Sequence, residues 1–145
     1  MNIQLILQKL DPDSTRIIMN ANARASRLGH NFISPEHVLL ALLESGNESL
    51  NRLFWKAKIN PDIALKELTT RIADEVWLAN AQREAVHDFG IQMKDSTKEA
   101  LESAFAESHN SQQTEITPQH LLVGCNQKNF SDQLYSKVGA IREMI

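Results

Sequence analysis

Apolar residues recur along this chain mostly at spacings of three and four positions, and no long run alternates between apolar and polar residues. Spacings of three and four bring side chains onto one face of a helix, whereas alternation is typical of a half-buried strand. The pattern therefore predicts an all-α protein. The predicted helices span about residues 2–10, 12–28, 35–44, 48–57, 61–79, 81–88, 95–109, 118–127 and 130–138.

Proline marks the starts of four of these helices. Each proline directly follows a residue whose side chain can accept a hydrogen bond from the first helical turn. The dipeptides are Asp11-Pro12, Ser34-Pro35, Asn60-Pro61 and Thr117-Pro118. Because proline lacks the N–H that would stay unpaired in the first turn, these positions predict helix starts.

The chain contains an internal repeat. The stretch ISPEHVLLALL at residues 33–43 recurs as ITPQHLLVGC at residues 116–125, which is 83 positions later. Further matching pairs at this offset are Ile18 with Leu101, Ala21 with Ala104, and Ala25 with Ser108. Two helical units of this kind would each expose an apolar face, and packing face to face buries both. We therefore expect one pseudo-twofold bundle within residues 1–145, with a leading helix at about 2–10, repeat 1 at about 12–80 and repeat 2 at about 95–145.

A Glu and a His stand together in the first turn of the repeated helix. Ser34 can cap this helix, and the helix dipole favours the carboxylate of Glu36 there. His37 recurs as His120, whereas Glu36 is replaced by Gln119. A mechanism that used paired carboxylates would not survive this replacement. We therefore interpret the two histidines as structural, each hydrogen-bonded to a neighbouring loop, and assign any functional role to Glu36.

Other catalytic and metal-binding chemistry has weak support. The order Glu-His does not match the H-E-x-x-H zinc motif, and His30 could share a metal with His37 only if the intervening loop folded back. Cys125 lies in an apolar stretch, LLVGCNQ, and is expected to pack as a small hydrophobic residue. No glycine-rich phosphate loop with a lysine occurs, so we expect no nucleotide hydrolysis, no metal and no cofactor.

Composition narrows the class of protein. The chain has 145 residues, of which 42% are hydrophobic and 23% charged, as in ordinary soluble domains. Its net charge of −3 gives no reason to expect a nucleic-acid partner. The single cysteine allows no internal disulfide, and the longest apolar run is too short to span a bilayer. Because MNIQLILQKL contains no basic leader, we expect a cytoplasmic protein without a membrane partner.

The stretch IIMNANARASRLGHNFISPEHVLLALL resembles the first repeat of the N-terminal domain of Clp/Hsp100 AAA+ unfoldases. The shared pattern is an apolar pair, spaced alanines, Leu-Gly-His, then Glu-His and a leucine-rich helix. The stretches LFWKAKINPDIAL, TPQHLLVGC and LYSKVGA are similar to later parts of that domain, so the resemblance covers nearly all of residues 10–145. It departs where Lys58 replaces the usual glycine, where SQQ at 111–113 replaces Leu-Gly-His, and at Gln119.

This resemblance implies a double repeat of four-helix units that is not itself an enzyme. In this family a flexible linker joins the domain to a hexameric ATPase ring, and the domain collects substrates or adaptor proteins for the pore of that ring. We expect this chain to be an excised domain or a free-standing Clp-N-like protein, because it contains no ATPase module. The isolated domain is expected to be a bacterial, cytoplasmic monomer.

The first residues of the chain favour one branch of the family. The stretch LILQKLDPDSTRIIMNA places an amphipathic helix and Leu-Asp-Pro before repeat 1, which is similar to ClpV, the unfoldase that recycles contracted type VI secretion sheaths. In ClpV a groove beside the added helix holds a short helix of a sheath protein. A short helix must dock to be stable, and its edge can then form a groove wall; alternatively, it completes the core. The predicted peptide-binding residues are Ile3, Ile6, Leu7, Arg16, Met19, Asn20 and Ala23.

Two other functions fit the family. In some members the Glu of this helical turn helps to hold a phosphorylated arginine of a degron, because its carboxylate reads the guanidinium. Glu36 matches that residue whereas Gln119 does not, so we expect at most one degron-binding site. On this alternative the chain is an adaptor- or degron-binding N-domain of a ClpC-, ClpA- or ClpB-type protease or disaggregase unfoldase. The remaining alternative is a free-standing accessory protein that docks on a peptidase or ATPase ring.

Overall fold

The computed structural model describes residues 3–30, 32–74, 93–126 and 136–144. Within these ranges the regular structure is helical, apart from two isolated β-bridges, which confirms the predicted all-α class. The helices are α1 (Ile3–Gln8), α2 (Pro12–Arg27), α3 (Pro35–Glu44), α4 (Glu48–Lys56), α5 (Pro61–Asp74), α6 (Asp95–Asn110), α7 (Pro118–Cys125) and α8 (Val138–Met144).

Four helix starts follow the proline pattern. These helices begin at the predicted residues Pro12, Pro35, Pro61 and Pro118. The side chain of Asp11 caps α2, since its Oδ1 accepts a hydrogen bond from the Ser14 N–H at 2.7 Å. Asn60 caps α5 in the same way, because its Oδ1 accepts a hydrogen bond from the Asp62 N–H at 3.0 Å. Local chemistry is therefore sufficient to place these starts.

Three helices near the ends of the two repeats differ from the proline-marked ones, since two predicted helices are wholly or mostly undescribed and one observed helix was not predicted. The predicted helix over 81–88 lies outside the described residues, as does most of the one over 130–138. The sequence pattern did not predict α8. This helix contains Gly139, a weak helix former, and among its described side chains Ile141 alone is buried. A single apolar anchor in a seven-residue helix leaves too little periodicity to recognise.

Two isolated β-bridges connect the two halves of the molecule. Leu10 pairs with Ile116, and Met93 pairs with Ile33, both in parallel orientation. The Lys94 N–H also donates a hydrogen bond to the Ile33 carbonyl at 3.1 Å. The offset of 83 that relates the two repeats also relates these two bridges. Each repeat therefore pairs with the segment that precedes the other, as a pseudo-twofold arrangement requires. The exact bounds of the two repeats stay a prediction.

The repeated helices α3 and α7 occupy the centre of this bundle. Every residue of α3 from Pro35 to Leu43 is buried, and α3 packs against α2, α5 and α7. A helix that is covered on all sides is apolar all round, which explains the stretch VLLALL. None of the described helices is long and apolar enough to cross a membrane.

The leading helix α1 is attached to the second half of the molecule. It packs against α6, where Ile6 and Leu10 are buried and Ile3 and Leu7 are half-buried against the core. Leu5 on the opposite side is exposed. The first residues of the chain therefore pack on repeat 2, and repeat 1 begins just after Leu10 pairs with Ile116. This docking explains how a six-residue helix is stable.

The helices α6 and α7 cross at very close range. A Cβ atom on Gly124 would overlap the Ala100 carbonyl oxygen and lie 2.8 Å from the Ala104 amide nitrogen. The equivalent residue of repeat 1, at the same offset of 83, is the buried Ala41. The second repeat therefore packs its central helix more tightly against its neighbour at this position, and glycine is what allows it.

Candidate functional site

His37 closes the loop that enters α3. The Ser34 N–H donates a hydrogen bond to His37 Nδ1 at 2.9 Å, and the His37 N–H donates back to Ser34 Oγ at 3.4 Å. Because Nδ1 accepts, the ring proton lies on Nε2, which is 2.8 Å from His30 Nδ1. His37 thus joins the helix cap to the preceding loop, which supports the structural interpretation of this residue.

This arrangement keeps His37 uncharged. Burial, assisted by the nearby charges of His30, Lys94 and Arg24, lowers the pKa of His37 to about 3. A proton on Nδ1 would also point at the Ser34 N–H, so the hydrogen bonds and the pKa favour the same neutral form. We conclude that His37 acts as a fixed hydrogen-bonding group near neutral pH.

His120 makes the corresponding contacts in repeat 2. We call the two arrangements, in which His37 or His120 joins a helix cap to the preceding connection, the histidine corners. The Thr117 N–H donates to His120 Nδ1 at 2.9 Å, and His120 Nε2 lies 2.9 Å from Ser111 Oγ. The Ser111 hydroxyl in turn donates to the Glu107 carbonyl at 2.6 Å. Burial lowers the pKa of His120, although the charges of Glu107 and Asp11 oppose the shift. The second histidine therefore also joins a helix cap to the preceding connection.

The loop between His30 and His37 does fold back, which the sequence left open. The two nitrogens that face each other are 2.8 Å apart and share a hydrogen bond. Among the described residues, no group of three or more His, Cys, Asp or Glu side chains is arranged to hold a metal ion. Cys125 is buried and burial raises the pKa of its thiol to about 12, so this thiol is a packing group.

The predicted degron residues lie at the caps of the two central helices. Glu36 is only 5% exposed, whereas Gln119 is half-buried. The Thr117 hydroxyl donates a hydrogen bond to Gln119 Oε1 at 3.2 Å. A guanidinium from solution would have to reach a largely covered carboxylate at Glu36. This geometry favours a local structural role for Glu36, and the degron site stays a prediction.

The structure divides the predicted peptide-binding residues into two groups. On α1, Ile6 belongs to the core, and Ile3 and Leu7 are half-buried where α1 meets α6. On α2, four of them recur at helical spacing and share one exposed face. We call these four the α2 stripe: Arg16, Met19, Asn20 and Ala23. The two groups lie on different helices, and a groove that includes both stays a prediction.

A pocket of about 260 Å³ opens beside the α2 stripe. It lies between α2 and the connection from α3 to α4 and contains Arg16 and Asn20. Its lining residues are Asp13, Arg16, Ile17, Asn20, Ser45, Gly46 and Asn47. The sequence predicted only Arg16 and Asn20 among these residues, and it missed Asp13, Ile17 and the last three, Ser45, Gly46 and Asn47. Their signal was the turn-forming run Ser-Gly-Asn, in which Gly46 has φ +69° and Asn47 caps α4.

The double repeat and its two histidine corners define the described part of the chain as a helical domain. The family model of the Clp repeat (R) N-terminal domain matches residues 9–138. The chain therefore belongs to this family, as its sequence pattern predicted. A curated relative is the chaperone protein ClpB of Bdellovibrio bacteriovorus, which is 36% identical over 58 residues, or 40% of this chain. The matched stretch spans 7% of that relative's length.

Solved structures of unfoldase N-domains share the fold. The N-terminal domain of the ClpV1 ATPase from the E. coli EAEC Sci1 T6SS matches with a TM-score of 0.75 and 20% identity, over 99% of this chain and 86% of that chain. A complex of a ClpV N-domain with a VipB peptide matches with a TM-score of 0.69 and 19% identity, over 99% of this chain and 86% of that chain. At these identities the likeness establishes the fold alone.

Proposed function

We propose that this chain is the partner-binding N-terminal domain of a Clp/Hsp100 unfoldase, and that its ligand is a short amphipathic helix of a type VI secretion sheath protein. The observation that carries this proposal is the fold match to ClpV N-domains, which extends over 99% of the chain and so includes the leading helix. One of those matches is a complex with a VipB peptide. The domain itself performs no catalysis, and the ATPase belongs to the parent protein.

The surface of the chain offers what such a ligand needs. Met19 at 51% and Leu5 at 57% exposure are large apolar side chains that solvent contacts. Ala23 follows Met19 by one helical turn and leaves room for a ligand side chain above α2. An amphipathic helix binds such a surface through residues at i, i+3, i+4 and i+7. The apolar part of the α2 stripe has the matching spacing.

The proposal is tested by titrating a labelled helical peptide from a sheath protein against the full chain and following fluorescence anisotropy. Met19→Asp should weaken binding by about ten- to a hundredfold, since the carboxylate must lose water when the helix docks. Leu7→Asp should weaken binding only if α1 forms the second wall. The matched control is Ile63→Asp, at an apolar residue on α5 that is 50% exposed and should leave binding unchanged.

A second candidate function has its own observation. The 36% identity with a ClpB chaperone over 58 residues favours a domain that captures substrates or adaptors of a disaggregase-type unfoldase. A chain that ignores the sheath helix but binds an unfolded model protein such as reduced lactalbumin would support this second candidate and contradict the first.

A further inference from the structure

The pocket beside Arg16 and Asn20 is a polar cavity at one end of an apolar stripe. We propose that this pocket, between α2 and the α3–α4 connection, is an anchor subsite for an acidic side chain of the bound helix. This inference rests on the proposed function and names the kind of ligand residue that the surface selects. The expected ligand is an amphipathic helix with a Glu or Asp at the end that lies over Arg16.

Arg16 supplies the positive charge of the subsite. Its side chain is 72% exposed, and its ion pair with Asp13 is long at 3.6 Å between Nη1 and Oδ1. Exposed pairs of this kind are weak, so a ligand carboxylate can replace Asp13. The neighbouring Arg24, in contrast, makes two short bonds to the Glu44 carboxylate, at 2.8 and 2.9 Å. The guanidinium available to a ligand in this pocket is therefore that of Arg16.

Amide groups complete the polar lining. The Asn47 side-chain amide donates a long 3.4 Å hydrogen bond to Asp13 Oδ2, and the amide of Asn20 lines the same pocket. A carboxylate that enters can accept from both amides while it pairs with Arg16. The pocket has room for it, because about 260 Å³ is many times the roughly 10–15 Å³ that one water molecule needs in such a cavity.

The mouth of the pocket is open on the side of the α3–α4 connection. Apart from Gly46 and its two chain neighbours, no atom of the described residues lies within 4 Å of the position that a Cβ on Gly46 would take. Met19 and Ala23 lie one and two turns along the same face of α2 from Arg16. A ligand helix laid along α2 would therefore place apolar side chains on Met19 and Ala23 and its terminal acidic residue over the pocket.

Substitutions of Arg16 and Asp13 should change the affinity for the ligand in opposite directions. Arg16→Gln removes the cation and should weaken binding of the sheath-protein peptide about fivefold, whereas Asp13→Asn removes the competing carboxylate and should strengthen it. Added salt should reduce both effects. Arg71→Gln, at an exposed arginine on α5 outside the pocket, is the matched control.

The peptide is varied in parallel, with each Asp or Glu replaced in turn by its amide. One acidic position should lose about fivefold in affinity for the wild-type chain and nothing for Arg16→Gln, which is the signature of a direct pair. If the peptide binds but no acidic position couples to Arg16, the subsite is wrong and the proposed function stands. If Asp13→Asn weakens binding, Asp13 itself contacts the ligand and the subsite is also wrong. A chain that binds no sheath peptide overturns both proposals.

Discussion

The two histidine corners of this molecule have the same hydrogen bond to the backbone and different side-chain partners. His37 and His120 each accept a hydrogen bond from the N-cap residue at 2.9 Å. Beyond that bond, His37 faces an imidazole at His30, whereas His120 faces the hydroxyl of Ser111. The cap bond is therefore the part of the motif that both repeats keep, and the outer partner can change. Either an imidazole or a hydroxyl can therefore bind the outer ring nitrogen and join the loop to the helix.

The same comparison extends to the backbone before each corner. Gly29 has φ 78°, and Gln112, at the equivalent position of repeat 2, has φ 59°. A left-handed conformation costs little for glycine but is unfavourable for glutamine. The degenerate repeat nevertheless keeps the turn, because hydrogen bonds such as that from the Gln113 N–H to the Ser108 carbonyl at 2.9 Å require it. The hydrogen bonds that end the helix have here outweighed the conformational preference of the residue.

The largest contrast between the repeats should appear at their helix crossings. Gly124→Ala places a methyl group against the Ala100 carbonyl, and backbone cannot yield without separating α6 from α7. We expect a loss of about 3 kcal/mol in unfolding free energy. Ala41→Gly at the equivalent residue should cost about 1 kcal/mol. Urea denaturation measures both, and an equal cost at the two sites would contradict the asymmetry.

The two histidines should contribute unequally to stability. His37→Ala leaves the buried Ser34 N–H without its acceptor and removes the bond to His30, so we expect a loss of about 2 kcal/mol. His120→Ala should cost about 1 kcal/mol, because the Thr117 N–H that loses its acceptor is only partly buried and Ser111 keeps its bond to the Glu107 carbonyl. Thermal unfolding measures both variants. Their folded forms should still bind the sheath peptide, and loss of binding would show that these histidines contact the ligand.

Lowering the pH should reduce the stability of the fold through His37 more than through His120. Unfolded His37 takes up a proton near pH 6.5, whereas folded His37 does so only at about pH 3. The unfolded state therefore binds more protons in this window, and stability should fall by up to about 1.4 kcal/mol per pH unit as the pH drops below 6.5. Denaturation at pH 7 and pH 5 measures the slope. His37→Gln should flatten it, and an unchanged slope would assign it to other groups.

The smallest effects on stability should come from Thr97 and Ser14, the equivalent hydroxyl residues that follow the two bridges. The Thr97 hydroxyl donates to the Ile33 carbonyl at 2.6 Å, so Thr97→Val should cost about 1 kcal/mol. Its equivalent, Ser14, is buried, and its hydroxyl has no hydrogen-bond partner among the described residues. Ser14→Ala should therefore be neutral or slightly stabilising in the same urea titration. A clear loss at Ser14 would reveal a partner.

Local chemistry made much of the fold predictable. Helix starts at Pro12, Pro35, Pro61 and Pro118 depend on a cap and a missing N–H that lie within one turn. The repeat was visible because residues 33–43 and 116–125 serve the same buried position, which restricts both to the same residue types. A sequence records such restrictions directly, and they were enough to predict the helical class and the family.

The placement of parts that are distant in the chain needed the tertiary structure. Nothing around Ile6 shows that α1 packs on α6, about ninety residues later, or that Leu10 bridges to Ile116. Gly46 and Asn47 looked like ordinary turn residues until α2 placed Arg16 beside them. The sequence by itself determined the helical class and the starts at the four prolines, because these depend on neighbours within one turn, and it recorded the repeat as a direct similarity between two stretches. The tertiary structure decided which faces are covered and where a pocket opens, because those depend on contacts between distant segments.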